Sequence, residues 1–147
     1  MLGLQAIYPL INGVGKLESL LDSGSQIVSM AREVAEDLGI TWDPDIVVHM
    51  QSANKALEWT LGLVKNVPFV FGPIVVYLQI HVMNDPAYKA LLGWLFNTVT
   101  KSWVKNVKDR GQSLTLTDPN SGEWCFMHTH ERGKALNVLK RAEKEDF

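Results

Sequence analysis

The stretch Leu20-Leu21-Asp22-Ser23-Gly24-Ser25 places one carboxylate among small polar residues directly after two leucines. A carboxylate acts as a general acid or base in the hydrolysis of an amide. Gly24 lets another backbone approach closely, and the Ser23 hydroxyl is able to hydrogen-bond across a symmetry axis. The pattern therefore predicts a catalytic loop made of Asp22, Ser23 and Gly24.

One carboxylate is not enough for this chemistry, because water must lose a proton while the peptide gains one. Two carboxylates held about 3 Å apart cannot both ionise, so such a pair shares one proton and supplies both roles. Within the chain, the candidate partners lack a following Ser-Gly or Thr-Gly and are set aside; they are Asp43, Asp45, Asp85, Asp109 and Asp118. We therefore expect a homodimer in which Asp22 of each chain supplies one carboxylate.

The bulk composition favours one globular domain. The chain has 147 residues, of which 46% are hydrophobic and 20% charged, and its formal net charge is −2. This size is enough for one hydrophobic core but cramped for two. The net charge gives no global positive field, so we expect no nucleic-acid binding by this domain.

Cys125 is the single cysteine of the chain, so an intrachain disulfide is excluded and an intracellular, cytoplasmic location is favoured. No stretch approaches the roughly 20 apolar residues that span a bilayer, and we expect no membrane partner.

Hydrophobic patterning predicts mostly strands around the acidic loop. Residues 4–10 and 17–21 form a hairpin around Asn12-Gly13-Val14-Gly15, and the second arm leads into Asp22. Residues 29–39 predict a short helix, with Ser29 as its cap and Gly39 at its end. A turn follows at Trp42-Asp43-Pro44-Asp45.

The middle of the chain predicts a long hairpin and two further strands. The hairpin covers residues 46–63, and its polar tip includes Ser52, Ala53 and Asn54. Strands at 67–71 and 74–83 follow, the second with alternating faces.

The last third begins with a turn at Asn84-Asp85-Pro86, followed by Leu91-Leu92-Gly93 and a short helix after the glycine. Residues 112–117 and 123–127 are expected to pair across a turn at 118–122. Residues 134–147 form a charged tail, expected to be helical or flexible.

Asp22-Ser23-Gly24-Ser25, followed about seventy residues later by Leu91-Leu92-Gly93, resembles the paired signature of retroviral-type aspartic peptidases. The wider sequence from about residue 8 to 133 resembles the peptidase region of fungal gypsy-type retrotransposon polyproteins. The segments that carry this likeness are residues 22–30, Trp42-Asp43-Pro44-Asp45-Ile46, Met50-Gln51-Ser52-Ala53-Asn54, Asn66-Val67-Pro68-Phe69, Tyr77-Leu78-Gln79, Asp118-Pro119-Asn120 and Thr129-His130-Glu131-Arg132-Gly133.

The resemblance implies an all-β, retropepsin-like closed barrel with one or two short helices, spanning residues 1–133 and acting as a homodimer. It implies an aspartic endopeptidase that processes a polyprotein and needs no cofactor or metal. The hairpin would be a flap over an extended polypeptide substrate, contacted by Ser52, Ala53 and Asn54 and, from the catalytic loop, by Gln26. The segment of Leu91, Leu92 and Gly93 would pass beside the catalytic loop.

One position departs from the family pattern. Relatives usually carry an arginine after the Leu-Leu-Gly element, where this chain has Trp94. In relatives that arginine braces the catalytic loop and the dimer interface. The alternative function is therefore a catalytically weak or inactive domesticated fold that serves dimerisation or peptide binding.

Other chemistry-bearing residues receive simpler interpretations. Cys125, His128 and His130 lie close together in sequence but lack an evident fourth ligand, so no metal site is predicted. His49 and His81 are expected to be packed or surface residues. The tryptophans Trp59, Trp94, Trp103 and Trp124 are assigned to the core or to an interface.

Overall fold

The computed structural model describes residues 4–51, 57–107 and 111–133. Strands and helices in chain order are β1 (Gln5–Ile7), β2 (Leu10–Ile11), β3 (Gly15–Lys16), β4 (Ser19–Leu21), β5 (Ser29–Ala31), α1 (Arg32–Asp37), β6 (His49–Gln51), β7 (Leu57–Trp59), β8 (Gly62–Phe71), β9 (Ile74–Met83), β10 (Ala90–Leu92), α2 (Trp94–Thr100), β11 (Trp103–Val107), β12 (Gly111–Thr117), β13 (Trp124–His128) and β14 (His130–Glu131). The predicted tail at 134–147 lies outside the described residues.

The main sheet has the strand order β14-β1-β4-β10-β5-β9-β8-β2-β3. It curls into a half-barrel around an apolar core, and α1 and α2 are the helices of the described residues. The mostly β architecture with short helices is confirmed. The predicted closed barrel is not observed, because β14 and β3 are left as the two edges of the sheet in the described part of the chain.

The N-terminal hairpin was predicted correctly. β2 pairs with β3, and β1 pairs with β4 further from the turn. Asn12 and Gly13 take positive φ values of 55° and 68°, the left-handed conformation that Asn and Gly adopt most readily in a tight hairpin turn. The second arm, β4, ends at the residue before Asp22.

Of the helix predicted at 29–39, only Arg32–Asp37 is helical, and the prediction that Ser29 caps it is wrong. Ser29 lies in strand β5 and is 2% exposed, while Ala31 precedes the helix without a side-chain cap. Strand pairing explains this outcome, because β5 is bound on one side by β10 and on the other by β9. Gly39 ends the helix as predicted, with φ +70° and its amide donating to the carbonyl oxygen of Glu36 at 3.0 Å.

The turn predicted around Asp43 is confirmed, since the Asp43 carboxylate accepts the amide of Asp45 at 2.9 Å. The hairpin after it consists of β6 and β7, with Met50 opposite Glu58. Its predicted tip of Ser52, Ala53 and Asn54 lies outside the described residues.

Strand β8 begins at Gly62, earlier than the predicted start at residue 67, so it includes the last residues of the predicted hairpin at 46–63. A bulge between Val64 and Val67 interrupts its pairing with β9, and Asn66 takes φ 59° there. The predicted alternation of β9 is confirmed, because Val76, Ile80 and the other even-numbered residues are buried while Tyr77 is 57% exposed.

The C-terminal part forms a separate three-stranded sheet, β11-β12-β13. The pairing of β12 with β13 is confirmed. Strand β11 was not predicted, because its polar residues Lys105 and Asn106 interrupt the alternation of apolar and polar residues that indicates a strand. Trp103 and Trp124 are 53% and 66% exposed, and Trp59 and Trp94 are also exposed, so none of the four is in the core of the chain. Helices long and apolar enough to cross a membrane are absent from the described residues.

Candidate functional site

Strand β10 is inserted between β4 and β5, the two strands that flank the acidic loop. It runs parallel to β4, with Leu92 opposite Leu21, and antiparallel to β5, with Leu91 opposite Ser29. Because β10 comes from about seventy residues further along the chain, this pairing is a long-range anchor for the loop. The loop that carries Asp22 is therefore fixed at both ends by the same central strand.

Asp22 begins the loop and is held by backbone hydrogen bonds. Its amide donates to the carbonyl oxygen of Leu92 at 3.1 Å, and its own carbonyl oxygen accepts the amide of Ser25 at 3.1 Å. The Asp22 carboxylate accepts the amide of Gly24 through Oδ1 at 3.0 Å. The partly exposed carboxyl group is thus oriented by its own loop.

Gly93 lies directly against the same loop and is buried. A Cβ atom at position 93 would lie 2.6 Å from the carbonyl oxygen of Ser25 and closer still to that of Ile27. Only glycine allows this approach without a shift of the backbone. The amides of Trp94 and Leu95, which follow it, donate to the carbonyl oxygens of Ser25 at 2.6 Å and Gln26 at 3.1 Å.

The structure brings most of the predicted site residues together. Leu91 packs with Leu20 beside the acidic loop, Leu92 is in the main core, and Gly93 contacts the loop itself. Ser23, Gly24 and Gln26 are exposed around Asp22. Ser52, Ala53 and Asn54 were also assigned to the site, and they lie outside the described residues.

Asp22 opens into a cleft of about 480 Å³. The cleft is bounded by apolar side chains of β4 and β10, by the β6–β7 hairpin and by the turn before β10. The residues that contribute include Leu20, Leu91, Met50, Glu58, Asp85 and Tyr88. A concave, mostly apolar site with a few convergent polar groups is the usual form of a ligand-binding site.

Sequence reasoning missed a hydrogen-bonded pair in this cleft. The Tyr88 hydroxyl and Ser29 Oγ are 2.6 Å apart, and both residues line the cleft. Burial raises the pKa of the Tyr88 phenol, and the negative charges of Glu58 and Asp22 act in the same direction, against the lowering effect of the Ser29 hydrogen bond. The sequence signal that could have indicated this pair is the position of Tyr88, two residues before the short apolar run that forms β10.

Helix α2 presents apolar side chains next to the acidic loop. Trp94 is 57% exposed and Leu95 is 51% exposed, although their amides bind the loop, whereas Phe96 is fully buried. Trp94 and Leu95 together form an exposed apolar patch on one turn of the helix. The Trp94 side chain, directly after the Leu-Leu-Gly segment, therefore points away from the core of its own chain.

The residues considered as metal ligands have other contacts. Cys125 Sγ donates to the carbonyl oxygen of Phe71 at 3.6 Å, and burial raises the pKa of this thiol. His130 packs edge-on against Tyr8. Within 4–51, 57–107 and 111–133, no cluster of three or more His, Cys, Asp or Glu residues is arranged to hold a metal ion.

Two solved structures resemble this fold. The retroviral protease-like domain of Ddi1 from Leishmania major matches with a TM-score of 0.63 and 18% identity, over 87% of this chain and 97% of that domain. A retropepsin-like aspartic protease from Rickettsia conorii matches with a TM-score of 0.46 and 22% identity, over 71% of this chain and 75% of that protein. Comparison with curated protein sequences gives no match.

A family model described as "gag-polyprotein putative aspartyl protease" matches residues 8–96. This range contains the Asp22 loop, the β6–β7 hairpin, β10 and the start of α2. It covers more than half of the chain and ends just after the glycine that contacts the acidic loop. The chain therefore belongs to the gag-polyprotein aspartyl protease family, and its fold is retropepsin-like.

Proposed function

We propose that the protein is an aspartic endopeptidase in which Asp22 supplies the catalytic carboxylate. The observation that carries this proposal is the placement of Asp22 on a loop fixed by β10 and open to a cleft of about 480 Å³. An acid–base group must be held in a defined geometry and remain accessible to substrate. The cleft is large enough for part of an extended peptide chain.

The proposed active enzyme is a homodimer, since each chain carries one Asp-Ser-Gly sequence. Two Asp22 carboxylates facing each other across a two-fold axis would share one proton and activate a water molecule between them. The exposure of Ser23 and Gly24 supports this arrangement, because the loop surface is not covered by its own chain. Trp94 and Leu95 supply an adjacent apolar surface for the partner chain to cover.

The β6–β7 hairpin is proposed as the flap. Met50 and Glu58, which face each other across its two strands, line the same cleft as Asp22. A hairpin in this position would close over a bound peptide and exclude water during hydrolysis. We assign Ser52, Ala53 and Asn54 at its tip, and Gln26 in the loop, to substrate contacts.

The biological role proposed for this activity is the processing of a polyprotein, and the proposed origin is a fungal gypsy-type retrotransposon. The family match to a gag-polyprotein protease supports the processing role. Residues 1–133 are proposed as the peptidase domain and residues 134–147 as an appended charged tail.

The test is the substitution Asp22→Asn in the full chain, assayed against a diverse peptide library at mildly acidic and neutral pH. We expect cleavage to fall by roughly a thousandfold or more, because the amide cannot act as a base, with the oligomeric state unchanged. Asp45→Asn, which alters an exposed aspartate in the turn before the hairpin, is the matched control. Cleavage that survives Asp22→Asn would exclude the assignment.

The exposure of Trp94 in place of the family's arginine supports a second candidate, a catalytically silent fold that binds peptides or dimerises. The same library separates the two functions. A confirmed dimer that cleaves no peptide at either pH, yet binds peptides in the Asp22 cleft, would favour the binding module.

A further inference from the structure

The Asp22 cleft combines apolar walls with acidic groups at its rim. Leu20 and Leu91 are 1% and 7% exposed and close the cleft from below its surface, while Ile27 and Met50 are partly exposed and offer apolar surface to a ligand. Glu58 and Asp85, both exposed, lie on the hairpin and on the turn before β10. The walls suit an aliphatic chain, and the rim suits a positive charge.

The charges of the cleft are unbalanced. Among the described residues that line it, the charged groups are the carboxylates of Asp22, Glu58 and Asp85 and the guanidinium of Arg132. Among the described residues, neither Glu58 nor Asp85 forms an ion pair that would neutralise its charge. A cleft lined mainly by one sign of charge attracts ligands of the opposite sign.

Tyr88 lines the same cleft as these carboxylates. The Tyr88 hydroxyl is hydrogen-bonded to Ser29 Oγ at 2.6 Å, and both residues line the cleft. Burial raises the pKa of the Tyr88 phenol, and the negative charges of Glu58 and Asp22 raise it further. The hairpin carboxylate and the proposed catalytic carboxylate therefore act on one shared volume.

We infer that this cleft selects a lysine or arginine side chain of the substrate next to the cleaved bond, with Glu58 and Asp85 as the specificity-determining residues. This inference rests on the proposed peptidase function and names a substrate class for the same site. The aliphatic stem would lie along the partly exposed Ile27 and Met50, while the cationic head would reach Glu58 and Asp85. Long basic side chains bury their stems on apolar surface and keep the charge near water or carboxylates in this way.

The test uses the full chain and reduced-amide peptides, which contain no bond that a peptidase can hydrolyse. Each peptide carries lysine, norleucine or glutamate at one of the four positions nearest the reduced bond. Norleucine matches the stem of lysine without the charge. Kd is measured by calorimetry, and kcat/KM is measured in parallel on the corresponding hydrolysable peptides.

At one of these positions we expect the lysine peptide to bind about fivefold more tightly than the norleucine peptide, the scale of a partly exposed ion pair. The double variant Glu58→Gln with Asp85→Asn should reduce this ratio to near one. Arg132→Gln should increase it, because the competing positive charge is removed. Glu33→Gln, an exposed carboxylate on α1 outside the cleft, should leave the ratio unchanged.

The outcomes separate this inference from the proposed function. Cleavage without any preference for lysine, or equal binding of the three peptides, would overturn the inference and leave the peptidase assignment standing. Selective binding of lysine without cleavage of any peptide would support the cleft specificity and count against the enzyme. The inference would also be overturned if Glu33→Gln lost the preference for lysine as fully as the double variant does. The net negative charge of the protein, and not the cleft, would then explain the preference.

Discussion

The backbone amide of Asp22 donates a hydrogen bond of 3.1 Å to the carbonyl oxygen of Leu92. This bond joins the end of β4 to the end of β10, two strands that are distant in sequence and parallel in the sheet. The acidic loop is therefore positioned by tertiary pairing and not by local structure alone. Changes at the end of β10 should affect the loop even when Asp22 itself is untouched.

Gly93→Ala should destabilise the fold by about 3 kcal/mol, because the new Cβ would overlap the carbonyl oxygens of Ser25 and Ile27 and both are backbone atoms. Urea denaturation of the variant and the wild type measures this difference. Gly15→Ala is the matched control, since its Cβ would meet only the Leu38 side chain at 3.8 Å. Equal stability of the two variants would mean that the loop adapts to a larger residue.

The Ser29–Tyr88 hydrogen bond should contribute measurably to stability. Tyr88→Phe leaves the Ser29 hydroxyl, which is 2% exposed, without its partner, and we expect a loss of about 1–2 kcal/mol. Ser29→Ala should cost a similar amount. The double variant should cost less than the sum of the two by about 1 kcal/mol, as measured in a double-mutant cycle by denaturation. Strict additivity would show that the two hydroxyl groups are not coupled.

His81 should make stability depend on pH. Burial lowers its pKa from 6.5, and its Nδ1 is buried without a hydrogen-bond partner among the described residues. Below pH 6.5 the unfolded chain then binds more protons than the folded chain, so stability should fall as the pH drops from 6.5 through the folded-state pKa. Thermal unfolding at a series of pH values measures this trend.

His81→Phe should weaken that pH dependence, because a phenyl ring fills the same space without a titratable group. His49→Phe provides the control, since the exposed His49 ring lies against Trp59 on the hairpin. A pH profile that is unchanged in His81→Phe would assign the acid sensitivity to other groups.

Trp94→Ala should weaken the proposed dimer by at least about tenfold in Kd, because it removes a large exposed aromatic group beside the acidic loop. The stability of the monomer should change little, since Trp94 is 57% exposed in its own chain. Sedimentation equilibrium over a range of concentrations gives the Kd. Trp124→Ala alters a tryptophan that is 66% exposed on the three-stranded sheet, and it should leave the Kd unchanged.

The opposite result for these two tryptophan variants would place the dimer interface elsewhere on the chain. If Trp124→Ala weakened the dimer and Trp94→Ala did not, the two chains would associate through the outer face of β11-β12-β13. The two Asp22 carboxylates would then have no basis for meeting across the axis.

Much of the fold could be predicted from local patterns. The hairpin before Asp22, the alternating strand β9 and the turn at Asp43 follow from residue periodicity and from residues that favour turns. The assignment of Ser29 to a helix cap failed because the spacing of Met30, Val34 and Leu38 suggests a helix, whereas pairing with β9 and β10 imposes a strand on residues 29–31. Local propensity is a weak guide when both neighbours of a strand are distant in sequence.

The sequence by itself determined the Asp22-Ser23-Gly24 loop and the Leu91-Leu92-Gly93 segment, because these residue types have local backbone and chemical requirements. The tertiary structure decided how they meet: β10 inserts between β4 and β5, and Gly93 packs against Ser25. It also decided the cleft, where Glu58, Asp85 and the Tyr88–Ser29 pair converge from separate elements. Such convergence depends on strand order, and strand order is set by long-range pairing that local periodicity does not encode.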